Sequence, residues 1–133
     1  MRYFTFNLND NEINMRLNSS DCEKIEKQYN CTLLNYVQQG SVTSLVTLLQ
    51  HMRMGAGEKN FTRNLTYDFY DELIDAGYTI ESILMEIVYP TLVISGVLSQ
   101  EDFDSIKEDL NKIKDMTDEE KEEMIAKRKN LQK

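Results

Sequence analysis

The sequence has little of what chemical sites are usually built from: two cysteines, one histidine, one proline and five glycines in 133 residues. Cys22 and Cys31 lie outside CxxC spacing, so neither a zinc site nor a redox pair is expected, and both are read as reduced side chains packing as small hydrophobes. With His51 alone there is no Cys/His cluster to hold a metal. No nucleophile or carboxylate lies at a recognisable spacing from His51 to make it a catalytic base. The one glycine-rich stretch, Gly55-Ala56-Gly57-Glu58-Lys59-Asn60, lacks the four-residue spacing before Gly-Lys-Ser/Thr and follows a helix where a P-loop follows a strand. No catalytic, metal or cofactor site is assigned, and the chain is expected not to be an enzyme.

Positive charge is also in deficit. Lys+Arg number 15 against 23 Asp+Glu, for a formal net charge of -8 and a pI near 4.7. Such a field opposes approach to phosphate backbones and anionic lipid heads, and no basic stripe with interleaved aromatics offsets it, so neither nucleic acid nor membrane is expected as a partner. The longest apolar run, residues 83–98, is interrupted by Glu86 and Pro90 and falls short of the roughly 20 residues that span a bilayer, which makes it a buried helix. Met1 to Asn7 moves straight into polar residues with no basic segment followed by an apolar one, so a cytoplasmic location is expected. There is no internal repeat and no Pro/Ser-rich linker, and the length suits one domain.

Local patterning then gives the architecture. Phe4, Phe6 and Leu8 alternate with polar residues, as do Ile13, Met15 and Leu17, which predicts an antiparallel hairpin over residues 3–17 joined through Asn9-Asp10-Asn11-Glu12. A lone hairpin is marginal in water, so its apolar face is expected to lie on helices. Ser20-Asp21-Cys22-Glu23 has capping-box spacing and predicts a helix to about Tyr29; a short one from Thr32 to Gln39 ends at Gly40. Ser41 caps a core helix with a stripe of Val42, Leu45, Val46, Leu49 and Met52, broken at Gly55-Ala56-Gly57, followed by a loop to about Asn64. Thr66 is expected to cap the next, stapled by Leu65 and Tyr70 and stopped by Gly77. Thr79, with Tyr78 and Ile83, opens the most apolar helix, through Leu84, Ile87, Val88, Leu92 and Val93, where Pro90 should kink or split it near Tyr89. Ser99 and Asp102 start a further helix with a stripe of Phe103, Ile106, Leu110 and Ile113.

The fold class is therefore mainly α: a hairpin packed on about five to six helices in one domain, residues 1–115, with a charged helix or tail over 116–133. Asp68, Asp71, Glu72 and Asp75 share a helix, and carboxylates at that spacing suit a divalent cation. Because Tyr67, Tyr70, Leu73 and Ile74 take its apolar positions, the carboxylates are read instead as its solvated face. In the tail, acidic residues precede basic ones, the order that favours the helix dipole. From Thr117 onward, Met124, Ile125 and Leu131 are the only large apolar residues and the candidate partner-binding positions.

This ordering of a hairpin opening (Tyr3 to Leu17), a Ser-Leu-Val-Thr-Leu-Leu-Gln helix (Ser44 to Gln50) and the Leu65 to Val97 stretch with its Tyr70-Asp71-Glu72-Leu73-Ile74-Asp75-Ala76-Gly77 turn resembles the tail assembly chaperones of long-tailed phages and prophages of Gram-positive bacteria. The resemblance implies a short, non-frameshifted form that binds the tape measure protein, keeps it soluble and helps recruit tail tube protein. It also implies a frameshifted longer form of the same chain as partner, several copies or a homo-oligomer along one client, and absence from the mature virion. The residues alone also fit a small acidic adaptor that binds one folded partner through the hairpin's open edge or its acidic helices. A metal enzyme using Asp68 to Asp75 is the third and weakest reading.

Overall fold

The alternation at the N-terminus produces β1 (Phe4–Leu8), paired antiparallel with β2 (Asn11–Met15) in the register Phe4↔Met15, Phe6↔Ile13 and Leu8↔Asn11. The connection is shorter than expected. Only Asn9 and Asp10 lie in it, both with positive φ (50° and 67°), while Asn11 and Glu12 already belong to β2. A two-residue turn with positive φ at both positions matches the right-handed twist of the strands, and Asn and Asp tolerate that backbone. Leu8, Ile13 and Met15 are buried, with Phe4 and Phe6 half-buried on the same face.

The structure, a computed structural model, describes residues 2–114 together with Glu119 and Glu123. Its helices are α1 (Ser19–Tyr29), α2 (Leu33–Gln38), α3 (Val42–Gly55), α4 (Arg63–Asp75), α5 (Ile80–Ile83), α6 (Tyr89–Ile94) and α7 (Gln100–Lys114). A π turn over Leu84–Val88 joins α5 to α6 without a break, so the fold is mainly helical with an N-terminal two-stranded hairpin. The chain forms two compact units, Met1–Ser99 and Gln100–Lys133. In the second, α7 carries Phe103 with the Lys107 ammonium 4.0 Å from its ring centre. The tail expected over 116–133, with Met124, Ile125 and Leu131, lies outside the described residues apart from Glu119 and Glu123.

In the first unit α3 is the hub, packing against β2, α2, α4 and the π turn. Leu45, Val46, Leu48, Leu49 and Met52 are completely buried, while Val42, expected in the same stripe, stays 47% exposed at the helix start. Its entry is fixed by a reciprocal capping box in which Ser41 Oγ accepts from the Ser44 N–H and the Ser44 side chain returns to the Ser41 N–H.

Three local expectations are corrected. α1 begins at Ser19 behind Asn18, which makes no side-chain cap, so the Ser20/Glu23 capping box does not form. Asp21 faces inward instead. α4 is capped by Thr62, whose hydroxyl accepts from the Leu65 N–H; Thr66 lies a turn inside the helix, fully buried, and donates its hydroxyl back to Thr62 O at 2.8 Å. A capping threonine offers one acceptor to the free amides of the first turn, so Thr62→Ala should lower stability by about 1 kcal/mol in urea denaturation. Finally, Pro90 leaves the helix neither split nor broken at Tyr89. Proline has no N–H to give residue 86 and its ring would strike that carbonyl. The helix widens one turn upstream, where the Tyr89 N–H reaches Leu84 O, and the Thr91 hydroxyl donates to Ile87 O at 2.7 Å.

Candidate interaction surface

At 3.6 residues per turn, positions i, i+3 and i+7 form one row along a helix, and the next residue starts a parallel row about 100° around it. α4 carries three such rows. Thr66, Phe69 and Leu73 are buried. Tyr67, Tyr70 and Ile74 form the second row, with Tyr67 45% and Ile74 39% exposed and Tyr70 half-buried. Asp68, Asp71 and Asp75 form the third, all exposed.

The expected solvated carboxylate face is thus where it was placed, but Tyr67 and Ile74 do not join Leu73 in the core. The inward row sits one residue earlier than the apolar composition suggested, because buried Thr66 and Phe69 take the positions that face α3. Sequence reasoning missed this, since Thr66 looks like a cap and four apolar residues make two rows equally attractive.

Tyr67 is held in place. The Arg63 guanidinium donates from Nε to the Tyr67 hydroxyl at 3.1 Å and from Nη1 to Thr47 Oγ1 at 3.0 Å, and lies over the Tyr67 ring at 5.6 Å. Beneath the helix, Arg53 sits 4.4 Å from the centre of the Phe61 ring and 4.7 Å from that of Phe69, and Phe6 of the hairpin lies 6.5 Å from Phe69. Burial lowers the Arg53 pKa, opposed by the attraction of Glu58 and Glu72. Glu72 also accepts from the Asn9 amide at 3.3 Å. It is therefore tied to the body, whereas Asp68, Asp71 and Asp75 have no ion-pair partner among the described residues.

Among the described residues no group of three or more His, Cys, Asp or Glu is disposed to hold a metal ion, the Asp68 to Asp75 carboxylates included. Cys22 and Cys31 are free and half-buried, and burial raises the Cys22 pKa. Comparison with protein-family models, with curated proteins and with solved structures finds no match. No single helix among the described residues is long and apolar enough to cross a membrane.

His51 is paired after all, but with a residue no spacing rule connects to it. Its Nδ1 lies 2.9 Å from Asp21 Oδ1, with the two side chains only 14% and 8% exposed, which fastens α1 to α3. A second buried polar group is Tyr36, stacked on Tyr29 at 4.4 Å between ring centres. Tyr29 shares a hydrogen bond with Thr47 at 3.3 Å, while no atom among the described residues meets hydrogen-bond geometry with the Tyr36 hydroxyl. Burial is the main cause that pushes the Tyr36 phenol up to about 12, from an ordinary value of 10.0. The folded state therefore holds this proton at a pH where the unfolded chain has lost it, so stability is full below pH 10.0 and falls as pH rises to about 12. Tyr36→Phe should change neutral-pH stability by no more than about 1 kcal/mol, since the hydroxyl lies near Thr47 and Tyr29 but makes no hydrogen bond of good geometry with either. Its alkaline loss in a pH series of thermal melts should be visibly shallower; Tyr89, also raised by burial, retains part of it.

Proposed function

We propose that the protein is a tail assembly chaperone of the long-tailed phage type, working by binding and not by catalysis. The client is the tape measure protein, whose apolar helical segments are masked until tail tube subunits assemble around it. The observation that carries this reading is the row Tyr67–Tyr70–Ile74 on α4, exposed at both ends and half-buried at Tyr70, which lies inside the Leu65 to Val97 stretch that resembles the family. A protein that holds amphipathic helices needs exposed apolar side chains at helical spacing, and charge beside them to keep the complex in solution. The net charge of -8 supplies the second. The place of action is the host cytoplasm, with a frameshifted longer form alongside and neither nucleic acid nor membrane as partner.

The test is co-expression with the long coiled-coil protein encoded downstream, followed by pull-down and size exclusion. A soluble complex with several copies per client is the expected result; a client that stays insoluble or unbound would overturn the reading. A slippery heptanucleotide near the end of the frame, with an overlapping second frame, is the genomic counterpart. Met124, Ile125 and Leu131 are proposed as additional client contacts, and truncation after Asp115 that leaves client binding intact would remove them.

The adaptor reading is favoured by one observation. β1 pairs only with β2 among the described residues, so no second strand occupies its outer edge, the position strand addition would use. It predicts one-to-one binding to a folded protein.

A further inference from the structure

We infer that the outer face of α4 is a docking site for a basic amphipathic helix of the partner, an inference that rests on the chaperone reading and names the segment of the client it takes. The apolar row Tyr67, Tyr70 and Ile74 is the seat, since it is exposed or half-exposed along a helix whose inward row already packs on the body. It runs for about 10 Å, two turns, the length over which another helix makes its central contacts at 8–10 Å between axes. Tyr67 is pre-oriented by Arg63, which lowers the ordering cost of binding.

Charge decides the occupant. Asp68, Asp71 and Asp75 line one flank of the seat at the same spacing, exposed and without ion-pair partners among the described residues. A helix lying in the apolar row therefore meets three carboxylates along one side. The complement is a helix with an aliphatic or aromatic row at i, i+3 and i+7 and Lys or Arg in the adjoining row. A second copy of this face would set carboxylates against carboxylates, and an anionic surface is repelled in the same way.

The probe is a synthetic helical peptide of about 20 residues with Leu in one row and Lys in the next, long enough to be partly helical when free. Its counterpart carries Glu in place of Lys. Binding to the full chain is measured by fluorescence anisotropy at low salt, with amide shifts followed by NMR. The Lys peptide should bind at least about ten-fold tighter than the Glu peptide, with shifts centred on residues 67–75. The triple variant Asp68→Lys/Asp71→Lys/Asp75→Lys should reverse that preference while keeping the circular dichroism spectrum of the parent, as exposed positions allow. Equal binding of both peptides, binding of neither, or shifts centred elsewhere would overturn the inference, as would a dimer that Ile74→Asp dissolves, because a second copy would then be the occupant. Co-expression with the client separates the two claims. If the charge-reversed variant solubilises the client as well as the parent does, the site is wrong and the chaperone reading stands. If the parent itself fails, that reading falls, and the peptide preference alone decides the face.

Discussion

Gly55→Ala should be among the most damaging single-methyl changes in the protein. A Cβ at this position would lie 2.1 Å from the carbonyl oxygen of Arg16 and 3.1 Å from its carbon, with Asp21 Oδ2 at 3.4 Å. Backbone cannot rotate away as a side chain does, and this backbone is fastened: the Arg16 N–H donates to Met52 O at 3.0 Å, and the Asn18 amide donates to Gly55 O at 3.4 Å. Relief requires the segment leaving the hairpin to move off α3, loosening the Asp21–His51 pair beside it. Alanine gains up to about 1 kcal/mol over glycine as a helix former. Overpacking against fixed atoms outweighs it, for an expected net loss of about 2 kcal/mol. That lowers the melting temperature by about 6–10 °C for a chain of this size. Gly57→Ala is the control: it meets nothing within 4 Å, and only its φ of 112° opposes the change, so its cost should be near 1 kcal/mol, about half as large. Equal losses in the two variants would mean that the approach of Arg16 to α3 does not limit the fold.

The same glycine shows where a sequence stops being legible. In Gly55-Ala56-Gly57 the glycines read as helix breakers, and Gly57 does lie beyond the helix. Gly55, however, is the last residue of α3 and is needed because another segment crosses it, a requirement set by a residue 39 positions away. Features fixed by neighbours in sequence were readable: the period-two strands, the Ser41 and Thr79 caps, the end of α2 at Gly40 and the buried stripe of α3 from Leu45 to Met52. Those fixed by tertiary contact were not. The Asp21–His51 pair joins residues on separate helices. The π turn over Leu84–Val88 lies one turn upstream of Pro90, where a kink or split near Tyr89 was the local expectation; the helix runs on unsplit. In α4 the composition allowed either of two adjacent rows to face inward, and packing on α3 chose Thr66, Phe69 and Leu73.

That choice makes adjacent positions behave oppositely, and the contrast is the sharpest check on the surface assigned here. Leu73 is completely buried, whereas Ile74 is 39% exposed. Leu73→Ala removes buried methyl groups and leaves a cavity that its neighbours fill only in part, so stability should fall by about 3 kcal/mol in urea or thermal denaturation. Ile74→Ala removes a side chain that water already reaches and replaces a β-branched residue by a better helix former, so its effect should stay within about 0.5 kcal/mol. Composition alone treats the two as equivalent aliphatic positions. If Ile74→Ala proves as costly as Leu73→Ala, the row Tyr67–Tyr70–Ile74 belongs to the core and is not free to receive a partner. If the two separate as expected, Ile74 contributes almost nothing to folding and its row is free to receive a partner. Ile74→Ala then becomes the variant of choice for client experiments, because a loss of affinity in it cannot be a loss of fold.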